Sequence, residues 1–350
     1  MRKALTILLT LAATGLLAPG SSAQQPVSFA GQTITLLIGQ AAGGGTDNFG
    51  RALAQNLSRT LQGAPAIVVQ NMPGADGIVA LNHFAARVKP DGLTFTVGAQ
   101  AQVDPLNVRK KTTTYDPSRF AYVGGAGRAG TALVLNKNAV NAIRAGSGTP
   151  ATVGALTAVR SGMQIVLWGG EYLNWNVRWV LGYRSTAEVN LALERGEVDM
   201  TSIPVIADVQ KVMATEKFEI FVQSGIKKGG QFVSVKEFEG SPLISNLLDG
   251  KLTTDIERDA FNYWINNASV GQFVALPSGT PEPIVEAYRE AYEQSMHTDE
   301  MKRVTTFVSG DFLYLNGNQM AATVKDLART SQEAIQHIIS MGKKQGITIE

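Results

Sequence analysis

Hydrophobic and polar positions follow two different periods near the start of the chain. Apolar runs at 33–38 and 66–69 predict strands, the first of them buried. Between them apolar residues recur at four-residue spacing, as on one face of a helix. The face consists of Phe49, Leu53, Leu57 and Leu61. The order strand, helix, strand predicts a parallel βαβ unit with a right-handed crossover.

The same alternation continues along the chain. Further strands are predicted at 93–97, 120–124, 132–135, 151–155, 179–182, 198–200, 220–223 and 273–276. Helices are predicted at 78–88, 165–173, 188–194, 284–296, 299–306 and 319–342. Alternating strands and helices predict a doubly wound α/β architecture. A second α/β region is expected from about 131 to about 261, followed by a return of the chain from 262.

The composition, 44% hydrophobic and 17% charged, is that of a globular protein. The length of 350 residues leaves room for two cores. The net charge of +2, from 31 basic and 29 acidic residues, is too balanced to indicate a nucleic-acid partner. The absence of cysteine excludes disulfides and a lipid-modified N-terminal cysteine.

The first 23 residues have the pattern of an export signal. Arg2 and Lys3 precede an apolar run at 4–18, and Ser21-Ser22-Ala23 supplies small residues for cleavage after Ala23. The apolar run is too short to span a bilayer, and no later run is long enough. We therefore expect an exported, soluble protein whose mature form begins near Gln24.

A glycine-rich joint, Gly39-Gln40-Ala41-Ala42-Gly43-Gly44-Gly45-Thr46-Asp47, lies between the first predicted strand and the first helix. Consecutive glycines leave backbone N–H groups uncovered, and the helix adds unpaired N–H groups and the positive end of its dipole. The joint can hold a carboxylate or a phosphate. Such turns also connect strands to helices without a ligand, and this stretch alone does not decide between the two. We interpret Asp47 as the cap of the helix.

Other motifs point away from catalysis. Gly125-Ala126-Gly127-Arg128-Ala129-Gly130 matches the dinucleotide pattern but runs into a strand, so we interpret it as a flexible crossing between domains. The three histidines are far apart and, without cysteine, give no metal-ligand spacing. With no nucleophile motif either, we expect no catalytic residues, no metal and no cofactor.

Aromatic residues are concentrated near the predicted helix at 165–173. Trp168, Tyr172 and Trp175 follow helical spacing. Packing in the core is the favoured interpretation, because buried aromatic residues dominate cores. A platform for an aromatic acid or a partner surface is the alternative.

Six motifs in one order resemble the solute receptors of tripartite tricarboxylate transporters, the Bug or TctC-like proteins. They are Thr35 to Ile38 with Ala42 to Asp47, Asn71-x-Pro73-Gly74-Ala75-x-Gly77, Pro90-Asp91-Gly92-Leu93-Thr94, Tyr115-Asp116-Pro117, Gly196-Glu197-Val198-Asp199 and Ala275-Leu276-Pro277-Ser278-Gly279-Thr280-Pro281. The resemblance implies a type II periplasmic-binding-protein fold, with a ligand cleft between two α/β lobes. It implies domain 1 at 24–130 plus 262–350, and domain 2 at 131–261.

The same resemblance implies a periplasmic receptor that closes on a small carboxylate and delivers it to integral membrane permease subunits. The expected ligand is a mono- or dicarboxylate, and the aromatic residues near 165–175 add an aromatic acid as an option. The implied ligand residues are Gln40, Ala42, Gly43, Gly44, Gly45, Thr46, Asp47 and Gln100 in domain 1, and Thr157, Ala158, Arg160, Ser161 and Gly162 in domain 2. A sensor for a membrane signalling kinase and an exported hydrolase are alternatives, as is a structural or adhesion role.

Two positions depart from the family pattern. Gly39 and Gln40 replace a proline and an aromatic residue, which removes an apolar wall and adds a hydrogen-bonding side chain. Arg160 stands in a second loop that is usually rich in glycine and serine, where it could form a bidentate pair with a distal carboxylate or remain a solvated loop residue.

Overall fold

The computed structural model describes residues 27–128, 130–146, 148–156, 158, 162–183, 186–203, 205–228, 231–309 and 312–349. The predicted leader at 1–23 lies outside these ranges. The described helices are α1 Gly45–Thr60, α2 Ile78–Arg87, α3 Pro105–Val108, α4 Lys137–Ala145, α5 Gln164–Tyr172, α6 Thr186–Arg195, α7 Ile206–Met213, α8 Ile244–Leu247, α9 Asp255–Ser269, α10 Glu282–Met296, α11 Asp299–Ser309, α12 Gly317–Ala328 and α13 Gln332–Lys344. None of them is long and apolar enough to cross a membrane.

The strands form two large sheets and one hairpin. They are β1 Thr33–Ile38, β2 Ala66–Asn71, β3 Thr94–Ala99, β4 Ala121–Arg128, β5 Ala132–Asn136, β6 Ala151–Ala155, β7 Val177–Leu181, β8 Met200–Ile203, β9 Phe218–Gln223, β10 Ile226–Lys228, β11 Gln231–Val233, β12 Val270–Leu276 and β13 Phe312–Asn316. The first sheet has the order β13-β4-β12-β3-β1-β2, the second β7-β6-β8-β5-β9, and β10 pairs with β11.

Parallel pairing in the first sheet follows the predicted βαβ unit. β1 pairs in parallel with β2 and with β3, and α1 connects β1 to β2. β12 and β13, which come late in the chain, return to this sheet as antiparallel strands. The boundary expected between residues 261 and 262 falls within α9, so the exact division into domains stays a prediction.

Two sequence-based predictions differ from the structure. Gly125 to Arg128 are not a crossing but the second half of β4, where they pair with β12 and β13. Glycine suits this strand because neighbouring side chains lie close: a Cβ at Gly124 would lie 2.1 Å from the ring of Tyr292. The single helix expected at 319–342 is two helices, because Ser331 caps the second one by accepting a hydrogen bond from the Ala334 N–H at 3.1 Å.

Several elements were missed from the sequence. They are α3, α4, α7, α8, α9, β13 and the β10–β11 hairpin. The start of α9 could have been recognised in the sequence, because Thr254 and Glu257 form a capping box. The Thr254 hydroxyl accepts from the Glu257 N–H, and the Glu257 carboxylate accepts from the Thr254 N–H.

An aromatic group connects the helices of the two sheets. Trp168 of α5 is fully buried and stacks on Tyr172 and Trp264, with ring centroids 5.5 and 6.1 Å away. A ring nitrogen of His337 in α13 shares a hydrogen bond with the Tyr172 hydroxyl at 2.7 Å. Trp175 is also buried, so the favoured interpretation of these aromatic residues as core packing is confirmed. The C-terminal helix is thereby attached to α5.

Candidate functional site

The candidate site lies where the parallel strands of the first sheet end. β1, β2 and β3 run in the same direction, so their carboxyl ends share one edge of the sheet. The segments that follow them are the glycine loop at 39–44, the loop at 72–77 and the turn at 100–104. In open α/β sheets, ligands bind outside the carboxyl ends of strands.

The chain passes between the two sheets at the same edge. β4 leaves the first sheet and β12 enters it there, since Val270 pairs with Gly127 and Gln272 pairs with Ala99 at the end of β3. In the second sheet, Ala132 at the start of β5 pairs with Ile203 at the end of β8. β6 is parallel to β8. The carboxyl ends of parallel strands in both sheets therefore border this junction.

The glycine loop turns through a left-handed residue into α1. Gly43 has φ +83°, a conformation that glycine adopts at little cost. Gly44 is the N-cap of α1 and its extended backbone carries no side-chain cap. The Asn48 N–H makes the first helical bond, to the Gly44 carbonyl at 2.9 Å. The N–H groups of Gly45 and Thr46, at the first two helical positions, thus have no intrahelical acceptor.

Asp47 is not the cap that the sequence suggested. It is the third residue of α1, where its side chain reaches back and its Oδ2 accepts a hydrogen bond from the Gly43 N–H at 2.8 Å. The Gly43 N–H is therefore engaged by Asp47 and does not point to solvent or ligand. Gly44 points its own N–H towards the Ala41 carbonyl at 3.4 Å. Gly43 and Gly44 thus already have acceptors within the protein, whereas the N–H groups of Gly45, Thr46 and Asp47 have none within the helix.

Asp47, Arg51 and Asn71 form a closed triangle beneath the glycine loop. The Arg51 Nε donates to Asp47 Oδ2 at 2.8 Å, and its Nη2 donates to Asn71 Oδ1 at 2.9 Å. The Asn71 amide donates to Asp47 Oδ1 at 2.8 Å and to the Gln40 carbonyl at 3.0 Å. Burial raises the pKa of Asp47, but the bonds from Arg51, Gly43 and Asn71 outweigh it and leave the pKa below its ordinary value.

Gln40 is held at the side of the loop by Gln102. The Gln102 Oε1 accepts from the Ala99 N–H at 2.7 Å and its Nε2 donates to the Gly77 carbonyl at 3.1 Å, which fixes the orientation of its amide. Gln40 Nε2 then donates to Gln102 Oε1 at 3.3 Å and to the Asp76 carbonyl at 3.4 Å. Gln40 thus braces two loops against each other.

The loop after β2 adopts a conformation that only a surrounding framework can hold. Four successive residues, Gly74, Ala75, Asp76 and Gly77, have positive φ angles of 150, 46, 52 and 90°. For Ala75 and Asp76 this costs of order 1–3 kcal/mol each. The hydrogen bonds from Gln40 and Gln102 to carbonyls of this loop hold it in place.

Other predicted site residues are only partly placed. Gln100 is half-buried in the turn after β3, and its carbonyl accepts from the Val103 and Asp104 N–H groups. Ala42 is exposed in the glycine loop and Ala158 is buried. Gly162 lies against β8 and the junction, since a Cβ there would lie 2.8 Å from both the Ser202 hydroxyl and a Thr131 methyl. Thr157, Arg160 and Ser161 lie outside the described residues.

Sequence reasoning missed Arg51 and Gln102 and gave Asn71 no role. A signal for Arg51 was its position four residues after Asp47, which places an ion pair on one helix face. Gln102 had no comparable signal, because two of its side-chain partners, Gln40 and Gly77, come from loops distant in sequence. No cluster of three or more histidine or acidic residues suited to a metal ion occurs among the residues described.

Comparison with known sequences gives one partial relative. No family model matches the chain. Over 109 residues, 31% of this chain, the sequence is 29% identical to a UPF0065 protein of Bordetella bronchiseptica. The matched segment spans 32% of that relative's own length.

Comparison with solved structures covers most of the chain. A TctC solute-binding protein from Polaromonas aligns with a TM-score of 0.67 at 18% identity, over 89% of this chain and 100% of that one. A Rhodopseudomonas palustris protein with adipate aligns with a TM-score of 0.56 at 17% identity, over 91% and 98%. MatC of the same organism, with bound malate, aligns with a TM-score of 0.53 at 20% identity, over 87% and 100%.

These alignments confirm the predicted fold. The chain has the two α/β lobes of periplasmic binding proteins, and the resemblance drawn from six sequence motifs holds at the level of the fold.

Proposed function

From the fold that this protein shares with the TctC solute-binding proteins, we propose that it is a periplasmic receptor for a small organic acid. The acid is captured between the two lobes and delivered to the membrane subunits of a tripartite tricarboxylate-type transporter. The role is one of binding, without a chemical step.

The arrangement of backbone donors carries this proposal. Gly45 and Thr46 present two N–H groups without intrahelical acceptors at the start of a 16-residue helix, at the edge where the chain passes between lobes. The positive end of the helix dipole favours a carboxylate there. This first-lobe site would hold one carboxylate through backbone dipoles, without a positive side chain in contact with it.

A dicarboxylate is the class that we propose first. Two of the proteins that share the fold are described with malate and adipate, acids that carry a carboxylate at each end. One end would bind at Gly45 and Thr46, and the other would face the second-lobe loop around Arg160 and Gly162. Ligand that contacts both lobes binds the closed arrangement more tightly than the open one, and this difference drives closure.

A thermal-shift screen tests the proposal. The protein is expressed with its own leader, recovered from the periplasm and screened against mono-, di- and tricarboxylates, amino acids and aromatic acids, with the matching diamides as uncharged controls. A bound acid raises the unfolding midpoint because it stabilises the folded state by mass action. Acids that raise the midpoint while their amides do not support the proposal, and a panel without any shift contradicts it.

Arg160→Ala then tests the second end of the ligand. We expect dicarboxylate affinity to fall more than monocarboxylate affinity, because the distal carboxylate loses a bidentate partner. Arg195→Ala, which removes an exposed arginine at the C-terminal end of α6 in the same lobe, is the matched control and should leave both affinities unchanged. Equal losses for both classes of acid would remove Arg160 from the site and leave the first-lobe carboxylate site standing.

A further inference from the structure

A negative charge lies directly beneath the proposed carboxylate site. The Asp47 side chain is 1% exposed, and its backbone adjoins Thr46, whose N–H is one of the two proposed donors. A ligand carboxylate at Gly45 and Thr46 would therefore sit close to a second carboxylate. Two like charges a few ångströms apart repel strongly where the surroundings exclude water.

Arg51 is the group that compensates this charge. Its Nε binds the Asp47 oxygen that also accepts from the Gly43 N–H, so guanidinium and loop share one acceptor. Its Nη2 binds Asn71, which in turn binds both Asp47 and the Gln40 carbonyl. The guanidinium thus contacts Asp47 directly and is connected to the start of the loop through Asn71.

We propose that Arg51 is a positioning residue of the acid site: it neutralises Asp47, so that Asp47 can shape the glycine loop without repelling the ligand carboxylate. The inference rests on the proposed function. It separates two tasks within the triangle. Asp47 fixes the loop by accepting a hydrogen bond from the Gly43 N–H. Arg51 reduces the repulsion between the Asp47 carboxylate and a bound anion.

Four variants test this role, with malate or adipate as probe, whichever gives the larger shift in the wild type. Arg51→Gln removes the charge and leaves Asp47 uncompensated. Arg51→Lys keeps one positive charge within reach of Asp47. The double variant Asp47→Asn/Arg51→Gln removes both charges together. Arg59→Gln is the matched control, because Arg59 lines the same groove between α1 and β2 but its acidic neighbour is Glu300, at 3.7 Å.

Dissociation constants from titration calorimetry are the readout, with the thermal midpoint of each ligand-free variant recorded alongside. We expect Arg51→Gln to weaken acid binding about tenfold or more, and Arg51→Lys and the double variant to recover most of that loss. Arg59→Gln should bind like the wild type. Recovery in the double variant would not follow from a purely structural role, because that variant has lost both ends of the ion pair.

Failure of the inference differs from failure of the proposed function. Unchanged affinity in Arg51→Gln, or a loss that neither Arg51→Lys nor the double variant recovers, overturns the role of Arg51 and leaves the receptor function intact. A wild-type protein that binds no acid of the panel overturns the receptor function, and the role of Arg51 with it.

Discussion

Asn71 donates from its Nδ2 to the Oδ1 of Asp47 at 2.8 Å, although the two residues are 24 positions apart in the chain. The bond ties the end of β2 to the first turn of α1. Because the same nitrogen also donates to the Gln40 carbonyl at 3.0 Å, Asn71 holds the glycine loop at its beginning and at its end. The shape of the proposed anion site therefore depends on a side chain outside the loop.

Replacement of Asn71 by Ala should lower both stability and ligand affinity. The Gln40 carbonyl loses its amide donor, and Arg51 and Asp47 each lose one partner. We expect the free energy of unfolding to fall by about 1–3 kcal/mol, as when partners of a hydrogen-bonded group are left unpaired. Urea denaturation measures the change. Gln55→Ala, on the exposed face of α1, is the control, and its free energy of unfolding should stay within about 0.5 kcal/mol of the wild type.

Gly43 and Gly44 should respond differently to substitution because their backbones differ. Gly43 has φ +83°, and a Cβ added there would have no neighbouring atom within 4 Å, so Gly43→Ala costs stability through conformation alone, by roughly 1–2 kcal/mol. Gly44 has φ −76°, which any residue adopts, and a Cβ there would lie 3.4 Å from the Ala41 carbonyl oxygen. Threonine is about as good an N-cap as glycine, so Gly44→Thr should leave stability within about 0.5 kcal/mol.

Gly44→Thr, which should hardly change stability, should have a large effect on ligand binding. The added side chain in Gly44→Thr stands beside the free N–H groups of Gly45 and Thr46, and we expect it to abolish acid binding in calorimetry while the fold persists. If Gly44→Thr binds the acid as the wild type does, the glycine loop is not the site.

The fold was largely predictable from the sequence, whereas the site was predictable only in part. Apolar periodicity located β1 and α1 because each has a run or face that is buried, and the apolar run at 66–69 located β2 although this edge strand has no buried residue. It missed β13, whose residues alternate weakly beside a helix. The glycine loop was evident from its composition, but the inward bond from Gly43 to Asp47 was not, because it depends on how far a side chain reaches. Gln102 could not be found, since its role arises only when three loops meet.

His337 should make stability depend on pH. Burial lowers its pKa below the ordinary value of 6.5, with Glu257 and Glu171 acting in the opposite direction and Lys344 lowering it further. The folded protein therefore takes up this proton less readily than the unfolded chain. Its contribution to stability is complete above about pH 6.5 and is lost as the pH falls towards the folded-state pKa.

Denaturation between pH 7.5 and pH 5 in His337→Gln and wild type isolates this contribution, since glutamine can still hydrogen-bond the Tyr172 hydroxyl. The wild type should lose more stability than the variant as the pH falls. His83→Gln, which changes an exposed histidine of α2, should keep the wild-type dependence. Parallel curves for wild type and His337→Gln would show that the proton on His337 does not contribute.

Asp104 should have the opposite dependence on pH. It is nine-tenths buried and accepts from the Leu106 N–H, the Tyr263 hydroxyl and the Asn267 amide. Burial raises its pKa despite these bonds, so the folded state holds the proton more tightly than the unfolded chain. The stability that Asp104 contributes is therefore present at low pH and is lost as the pH rises through the folded-state pKa.

Asp104→Asn should remove this pH dependence of stability while keeping hydrogen-bond partners for the groups around position 104. Its carbonyl can still accept from Leu106 and Tyr263, and its new amide can donate to the Asn267 Oδ1, a buried acceptor with no partner among the described residues. Relative to wild type, Asp104→Asn should gain stability as the pH rises from 4 to 7. Asp104→Ala should lose about 3 kcal/mol at pH 7, because three donors, two of them buried, are left unpaired. Asp249→Asn, an exposed carboxylate, controls for the change of charge, and an equal pH response in that variant would contradict the assignment to Asp104.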